Sequence, residues 1–336
     1  MAKVGVREIS EATGFSTATV SKALNHRSDV SERTADIIIE AARSMGYRQR
    51  ERVSAVTLAS ARKSGRIIDG STFHPEVTQG VQQQAHALGL VTTLVTLDFS
   101  PNMEARREAE RLFSDPSAAI VLLGTELSEA EFNLLDNCAA QVVVLDNYSE
   151  DHAFDSVVIP NRVSAKRAVR YLVARGHRKI GYLACDFRIH NFRTREQGFL
   201  EGLTDAGLEY NPAWRVELGT EFDDVRRGMS AWLADKTIND LPTAFFSDSD
   251  MLAAGSLRAF IEAGFSVPDD ISLIGFDDGQ LSAFSNPPIT TVHVPRREMG
   301  ELAVRRLVGN IRQSKGYTCT TQVNTHLVER QSVREL

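Results

Sequence analysis

Residues 6–25 read VREISEATGFSTATVSKALN, and this stretch decides the fold of the N-terminal part of the chain. Apolar residues return at helical spacing on both sides of Gly14, which supplies the permissive backbone that a sharp turn needs. Ser16 stands where an N-cap belongs at the start of the second helix. Two short helices and a tight turn predict a helix-turn-helix, a motif whose second helix lies in the major groove of DNA.

The second helix has an apolar face and a face suited to DNA. Val20, Ala23 and Leu24 form the apolar face, and small, polar or basic side chains occupy the other face near the helix N-terminus. Such side chains reach base edges and phosphates. An ordinary helical hairpin with a solvated polar face is the alternative from this segment alone. The predicted DNA-contacting residues are Thr17, Ala18, Thr19, Ser21, Lys22, Asn25, Ser31 and Arg48.

A third helix completes a small N-terminal head. Ser31 is suited to cap its start and Gly46 to end it, and its predicted core face is formed by Ile37, Ile38, Ala41, Ala42 and Met45.

Charge separates the head from the rest of the chain. Residues 1–52 carry nine Lys and Arg against seven Asp and Glu, a net charge of +2, whereas the whole chain carries −6. The mildly basic head is therefore the part suited to phosphate contact. We hypothesise that Arg48, Arg50 and Arg52 at its end contact phosphates.

The composition predicts a folded cytoplasmic protein. The chain has 336 residues with 42% hydrophobic content, enough for a large core. Its N-terminus lacks the pattern of a secretory signal, and no segment approaches the ~18 apolar residues of a membrane span. Cys138, Cys185 and Cys319 lack the spacing of metal ligands or redox pairs. We expect no metal and no cofactor.

After residue 52 short β-branched runs alternate with amphipathic helices, which predicts an α/β fold with doubly wound parallel sheets. Two such series imply two lobes. The predicted domains are the head at 1–52 and a body at 53–336 for effector binding and dimerisation. The predicted lobes are 53–158 with 289–315, and 159–288 with 316–336.

Ligands in such sheets bind beyond the carboxyl ends of the strands, so the residues that follow strands are candidate contacts. Asp146 and the pair Asp277–Asp278 follow predicted strands, as does Ser247–Asp250. Carboxylates and a guanidinium facing one cleft can clamp vicinal hydroxyls. An aspartate after a strand is also often a helix N-cap, and a loop arginine often pairs at the surface. The arginines and histidine after the strand IGYLAC are Arg188, His190, Arg193 and Arg195.

With these motifs the chain resembles the LacI/GalR family of bacterial transcription regulators over nearly its whole length. The head FSTATVSKALN and VSERTADIIIEAARSMGY resembles the family's DNA-binding domain. LVARGHRKIGYLA, TREQGF, GFSVPDDISLIGFDD and PPITTVHVPRREMGELAVRRL resemble the successive body motifs. The resemblance implies a repressor-type homodimer on a palindromic operator. It also implies a body similar to periplasmic sugar-binding proteins, with a small effector, a carbohydrate by expectation, between the lobes.

The resemblance also implies the residues that contact the effector. By their position in the family's motifs, these residues are two aspartates, an arginine, an aromatic residue that stacks on the ligand, and two residues of the first loop. Ser249 stands where many members carry Asn, so a particular sugar preference does not transfer. The effector-binding residues predicted in this way are Phe73, His74, Asp146, Arg195, Phe222, Ser249 and Asp277.

A departure from the family lies between head and body. Members usually carry a hinge helix there, with a leucine that wedges into the minor groove. Residues 48–60 read RQRERVSAVTLAS, which is poor in helix formers. We interpret Val53–Ala59 as the first strand of the body. The rival interpretation makes it a hinge, with Val56 or Leu58 as the wedge.

Other functions are weighed against this one. An enzyme is not predicted, because the chain lacks a nucleophile elbow, GxxxxGK[ST], GxGxxG and HExxH. An exported binding protein does not fit a chain with a DNA-reading head. A phosphorylated sugar or a nucleoside stays an alternative effector, because Arg188, His190 and Arg193 can attract an anion.

Overall fold

The computed structural model describes residues 5–24, 30–45, 53–66, 73–99, 103–313 and 317–336. Contacts within the chain divide it into two units, 1–52 and 53–336. The described residues of the head form three helices, α1 Val6–Thr13, α2 Thr17–Leu24 and α3 Glu32–Ser44. They enclose a core of their own, formed by Ile9, Val20, Ala23, Leu24, Ile38 and Ala42.

The turn between α1 and α2 forms for the reason the sequence indicates. Gly14 has φ +74°, a left-handed conformation that glycine adopts without strain. The Ser16 hydroxyl accepts a hydrogen bond from the Thr19 N–H at 3.1 Å, so the predicted N-cap is confirmed. Ser31 caps α3 in the same way, through the Thr34 N–H at 3.3 Å.

The sequence prediction wrongly assigns one residue, Ile37, to the core of the head. Ile37 is 47% exposed, whereas its neighbour Ile38 is fully buried. The two side chains lie about 100° apart around the helix, so only one of them can face a core as narrow as this one.

The body consists of alternating strands and helices. Its strands are β1 Ala55–Arg62, β2 Val91–Asp98, β3 Ala119–Leu123, β4 Gln141–Leu145, β5 Asp155–Val158, β6 Ile180–Cys185, β7 Arg215–Leu218, β8 Ala244–Ser247, β9 Ser272–Asp277, β10 Thr290–His293, β11 Thr320–Gln322 and β12 His326–Val328. Its helices are α4 Phe73–Ala87, α5 Met103–Ser114, α6 Glu129–Phe132, α7 Asn161–Ala174, α8 His190–Asp205, α9 Phe222–Leu233, α10 Asp250–Glu262, α11 Gln280–Phe284 and α12 Arg296–Gln313.

The strands form two sheets with the same doubly wound order, which confirms the predicted fold class. Lobe 1 has the order β11-β5-β4-β3-β1-β2, and lobe 2 has the order β12-β10-β9-β8-β6-β7. All neighbouring pairs are parallel except β10 and β12, so lobe 2 carries one antiparallel edge strand. In each sheet the order reverses beside the first strand, at β1 and at β6. Ligands of such sheets bind at this switch point.

Within the described residues the chain crosses between the lobes at three places, and the predicted lobe boundaries are wrong at two of them. The crossings lie between β5 and α7, between β10 and α12, and between β11 and β12. Strand β10 pairs with β9, so it belongs to lobe 2 and not to lobe 1 as predicted. Strand β11 pairs with β5, so it belongs to lobe 1. Strand pairing decides this membership, and the local pattern of a three- or four-residue strand does not reveal its partner.

The segment after the head is a strand. Val56 and Leu58 are 0% and 2% exposed within β1, so the rival interpretation of them as a hinge wedge is wrong. Arg48, Arg50 and Arg52 lie outside the described residues. The segment 127–138 contains one short helix, α6, which is four residues long. None of the described helices is long and apolar enough to span a membrane.

Close packing of α7 on α8 positions the cleft residues that belong to lobe 2. A Cβ on Gly198 would lie 2.1 Å from the carbonyl oxygen of Arg162, and one on Gly202 would lie 2.7 Å from Val169. Glycine at these two α8 positions therefore lets the helix backbones approach closely. The first residue of α7 can then reach the pocket-facing side of α8.

We expect Gly198→Ala to destabilise the protein by about 1–3 kcal/mol, because the added methyl overlaps a backbone carbonyl that cannot move away freely. Gly309→Ala in α12 is the matched control. No atom lies within 4 Å of its added Cβ, and alanine should be neutral or stabilise by up to about 1 kcal/mol. Urea unfolding of both variants measures the difference. Equal stability of the two variants would contradict the close approach of α7 and α8.

Candidate functional site

The carboxyl ends of both sheets face a pocket of about 850 Å³, its open mouth included. Loops after β1, β3 and β4 supply its wall in lobe 1, and loops after β6, β7, β8 and β9 supply its wall in lobe 2. The pocket is lined by Arg66, Phe73, His74, Thr125, Asp146, Cys185, Ile189, Asn191, Phe192, Arg195, Thr220, Ser249, Asp250, Met251, Leu252, Asp277, Gly279 and Leu281.

Six of the seven predicted effector residues line this pocket, namely Phe73, His74, Asp146, Arg195, Ser249 and Asp277. The exception is Phe222. It is the first residue of α9 instead of a loop residue, and its ring packs on the apolar core of lobe 2. Phe192, on α8, is the aromatic residue of lobe 2 that lines the pocket.

Arg195 is the central cation of the pocket and is only 5% exposed. Its Nε donates to the Asn161 Oδ1 at 2.8 Å, and one Nη donates to the backbone oxygen of Asp248. The other Nη lies 3.8 Å from a carboxylate oxygen of Asp277. Its guanidinium carbon lies 3.6 Å from the ring centroid of Phe276, in the geometry of a cation–π contact. The side chain is therefore held from several directions before any ligand arrives.

Asp146 forms the polar wall on the side of lobe 1. It has φ +65°, an uncommon conformation for a residue with a side chain, and it is 4% exposed. Its carboxylate accepts a hydrogen bond from the Thr125 hydroxyl at 2.8 Å. Burial raises the pKa of this carboxyl to about 7, although Thr125 and Arg195 favour the charged form. At neutral pH the group can both donate and accept hydrogen bonds.

Asp277 and Asp250 extend the acidic side of the pocket in lobe 2. Asp277 has φ +115°, and burial raises the pKa of its carboxyl against the opposing effect of Arg195. Asp250 accepts hydrogen bonds from the Thr291 hydroxyl at 2.6 Å and the Gly279 N–H at 2.7 Å. Burial is also the main reason that the pKa of Asp250 is raised, to about 7. Beside it, Ser249 caps α10 through the Leu252 N–H.

The three side chains predicted to attract an anionic ligand, Arg188, His190 and Arg193, do not line the pocket. Arg188 is paired with the buried carboxylate of Asp248 and with Glu196, at 2.8 Å for the latter. Arg193 is exposed, and the ring of His190 packs edge-on against Tyr148 with centroids 5.0 Å apart. The ion pairs of Arg188 lie within lobe 2, and none of these three side chains faces the pocket.

Sequence reasoning missed several lining residues that lie on helix faces or in neighbouring loops. Asn191 and Phe192 precede Arg195 on α8 by four and three residues, so helical spacing around a predicted arginine was the available signal. Arg66 lies in the loop after β1, and its Nη donates to both carboxylate oxygens of Asp186, at 2.7 and 3.0 Å. This ion pair connects lobe 1 with lobe 2 at the pocket.

The head presents the predicted DNA-contacting face to its surface. Thr17, Ala18 and Lys22 are exposed, and Thr19 and Ser21 are half-buried. Ser31 is exposed as well, and Asn25 and Arg48 lie outside the described residues. The described residues contain no cluster of side chains suited to a metal ion.

Two family models match the chain. Residues 6–56 match the model of bacterial regulatory proteins of the lacI family, and residues 169–333 match a periplasmic binding protein-like domain. A DNA-binding head and an α/β body with a cleft between its lobes define a transcriptional regulator. By these matches the chain combines a DNA-binding domain of the lacI family with a periplasmic binding protein-like domain.

Relatives match the chain over almost its whole length. The chain is 26% identical to the HTH-type transcriptional repressor PurR of Mannheimia succiniciproducens, with 98% of this chain and 99% of that protein covered. It is 28% identical to PurR of Vibrio cholerae, with 98% of each covered. Both relatives are named as transcriptional repressors and not as enzymes, in agreement with the prediction for this chain.

Solved structures show the same fold. A complex of the transcriptional regulator CelR with cellobiose superposes with TM-score 0.73 and 22% identity, over 98% of this chain and 100% of that one. A lac repressor dimer bound to operator and the anti-inducer ONPF superposes with TM-score 0.71 and 23% identity, over 99% and 100%.

We expect the pH dependence of stability to reflect the buried carboxyls. The pKa of an aspartate in the unfolded chain is about 4, whereas the pKa of Asp250 in the folded protein is about 7. Between these values the folded state binds more protons, so the free energy of unfolding falls as the pH rises. Asp250→Asn should reduce the slope of the free energy of unfolding against pH by at most about 1.4 kcal/mol per pH unit.

Denaturant unfolding of the ligand-free protein between about pH 5 and 7 measures the slope. Asparagine keeps an oxygen for the Gly279 N–H, and its amide can donate to the Thr291 hydroxyl, so the variant should fold. Identical slopes for Asp250→Asn and the natural protein would refute the raised pKa.

Proposed function

We propose that this chain is a transcriptional repressor whose affinity for a palindromic operator is controlled by a small ligand bound between the two lobes. The observation that carries the proposal is the presence on one chain of a helix-turn-helix head and a two-lobed pocket built around a buried arginine and carboxylates. A ligand that contacts both lobes binds one lobe arrangement better than another. It can therefore shift the equilibrium between them.

The ligand we propose is a neutral, hydroxyl-rich molecule, a carbohydrate. Asp146, Asp250 and Asp277 line the pocket, and Arg195 supplies a fork of donors beside them. Carboxylates accept hydrogen bonds from sugar hydroxyls, while the guanidinium donates to their oxygens. The rings of Phe73 and Phe192 offer apolar surface for the faces of a sugar ring. On this proposal the target genes serve carbohydrate use, and the protein works in the cytoplasm.

A phosphorylated ligand has weaker support. A phosphate in the pocket would face three carboxylates, and the second lining arginine, Arg66, is paired with Asp186. A nucleobase or nucleoside is the second candidate. The two phenylalanine rings can stack on a flat base, and aspartate and asparagine side chains can hydrogen-bond to its edge.

We further propose that the protein works as a homodimer. One helix-turn-helix reads only a few base pairs, so two heads on adjacent half-sites are needed for useful specificity. Strand β2 lies at the edge of the lobe 1 sheet, where Val91 and Leu94 are 67% and 55% exposed. Apolar side chains on an open sheet edge favour contact with another chain, here a second copy.

For DNA binding we expect Lys22→Ala to weaken operator affinity about tenfold, because it removes an exposed cation from the DNA-facing side of α2. Arg7→Ala is the control, since Arg7 is an exposed cation on α1 outside the predicted DNA-contacting face. Operator sequences are first selected from genomic fragments, and affinity is then measured by fluorescence anisotropy at several salt concentrations. Unchanged affinity for Lys22→Ala, or an equal loss for Arg7→Ala, would contradict the assigned face.

For the ligand we expect a neutral sugar to raise the melting temperature in a screen of mono- and disaccharides including cellobiose, sugar phosphates, nucleobases and nucleosides. A ligand at ~100 times its Kd stabilises the native protein by about 2.7 kcal/mol, which is measurable. Asp277→Ala, Arg195→Ala and Phe192→Ala should each remove the shift. A shift with sugar phosphates alone would contradict the neutral class.

Two control variants test the residue assignments in the same screen. Phe222→Ala and Arg193→Ala should keep the shift, because neither residue lines the pocket. Loss of the shift in Phe222→Ala but not in Phe192→Ala would reverse the assignment of the aromatic contact. If ligand and DNA binding are coupled, the compound that raises the melting temperature must also change the affinity for the operator, in either direction, when it is added to the operator assay.

A further inference from the structure

A chain of polar side chains runs from the pocket arginine to the opposite lobe. The Nε of Arg195 donates to the Oδ1 of Asn161 at 2.8 Å, and the Nδ2 of Asn161 donates to the Oδ1 of Asn191 at 3.0 Å. The Nδ2 of Asn191 then donates to the backbone carbonyl of Asp146 at 3.2 Å. The last bond crosses from α8 in lobe 2 to the loop after β4 in lobe 1. We call these three hydrogen bonds the relay.

The direction of every bond in the relay follows from the arginine. A guanidinium only donates, so Asn161 must turn its oxygen toward Arg195 and its amide group toward Asn191. Asn191 must then accept with its oxygen and present its own amide group to the carbonyl of Asp146. The orientation of Asn161 therefore decides whether Asn191 can make the bond between the lobes.

Asn161 stands at a crossing between the lobes. It is the first residue of α7, directly after the segment that leaves β5, and it is 6% exposed without lining the pocket. Ser164, one turn later, bonds to the Pro160 carbonyl and to the Thr325 hydroxyl, both at 2.7 Å. Thr325 lies on the crossing between β11 and β12. Asn161 thus stands at one crossing, and Ser164 on the same helix is hydrogen-bonded to a second crossing.

We propose that Asn161 is a positioning residue that couples the ligand-binding arginine to the arrangement of the lobes. Through its oxygen it orients Arg195 in the pocket, and through its amide it orients Asn191 so that lobe 2 stays bonded to Asp146. A molecule that engages Arg195 or Asn191 acts on the same relay. The functional meaning of this coupling rests on the proposed function. The relay itself can be tested without ligand or DNA.

Asn161→Asp separates the two roles of the side chain. The carboxylate still accepts from Arg195, but it cannot donate to Asn191. Asn191 must then turn its amide group toward residue 161 and its oxygen toward the carbonyl of Asp146, where two acceptors repel. We expect the bond between the lobes to be lost and the population with separated lobes to rise about fivefold, the net effect of one hydrogen bond.

Spin labels measure the lobe separation in the full-length, ligand-free protein. Cys138 and Cys319 are replaced by Ser, buried Cys185 is kept, and labels are attached through Glu108→Cys in lobe 1 and Asp223→Cys in lobe 2. Double electron–electron resonance should show longer distances for Asn161→Asp than for the parent. Asn191→Leu should give the same shift. Glu201→Gln, which weakens the surface pair with Arg162 on the same two helices, should give none.

A double variant distinguishes the relay from a general packing effect. If Asn161 acts through Asn191, then Asn161→Asp should add nothing in the Asn191→Leu background. A further shift there would overturn the proposal, as would an unchanged distance for either single variant. If the buried carboxylate prevents folding, Asn161→Ala removes both hydrogen bonds of the side chain without adding a charge and should give the same shift. Because no ligand or operator is used, failure here is distinct from failure of the proposed function.

Discussion

The body depends on the satisfaction of one buried charge. Arg195 is almost excluded from solvent, and a guanidinium in that position destabilises the fold unless its donors are paired. Asn161 and the backbone of Asp248 accept hydrogen bonds from it, the carboxylate of Asp277 lies 3.8 Å away as an opposite charge, and Phe276 covers its face. These partners come from α7, from the end of β8 and from the end of β9. The arginine thus fixes how helices and strands of lobe 2 meet at the cleft.

Backbone geometry brings these partners within reach. Gly198 and Gly202 allow α7 to approach α8, so Asn161 can reach the side of α8 that carries Arg195. Asp146 and Asp277 have positive φ at the ends of their strands, which is uncommon for residues with side chains. Strain of this kind is tolerated where the surrounding structure fixes the residue. Both carboxylates line the pocket, which is consistent with a functional reason for the strain.

The strand pattern points to site residues that follow a strand, whereas Phe73, His74 and Arg195, which lie on helices, were assigned through the family resemblance. Asp146, Ser249 and Asp277 could be found because parallel strands end at the same edge of a sheet. Phe222 also follows a strand, at a distance of four residues, but it starts a helix that turns its ring into the core. Phe192 and Asn191 belong to the pocket through the rotation of α8, which depends on packing against α7. Asn161 has no local signal, since it acts through residues 30 and 34 positions away.

The helix-turn-helix, the caps at Ser16 and Ser31, the alternation of strands and helices and the resemblance to the LacI family could all be read from the sequence. These features depend on local backbone preferences and on the period of apolar residues, which act over a few neighbouring positions. The tertiary structure alone decided which sheet accepts β10 and β11, which phenylalanine faces the pocket, and how Asn161 connects Arg195 to the opposite lobe. Each of these depends on contacts between segments far apart in the chain, and no local pattern records which distant partner a strand or side chain will meet.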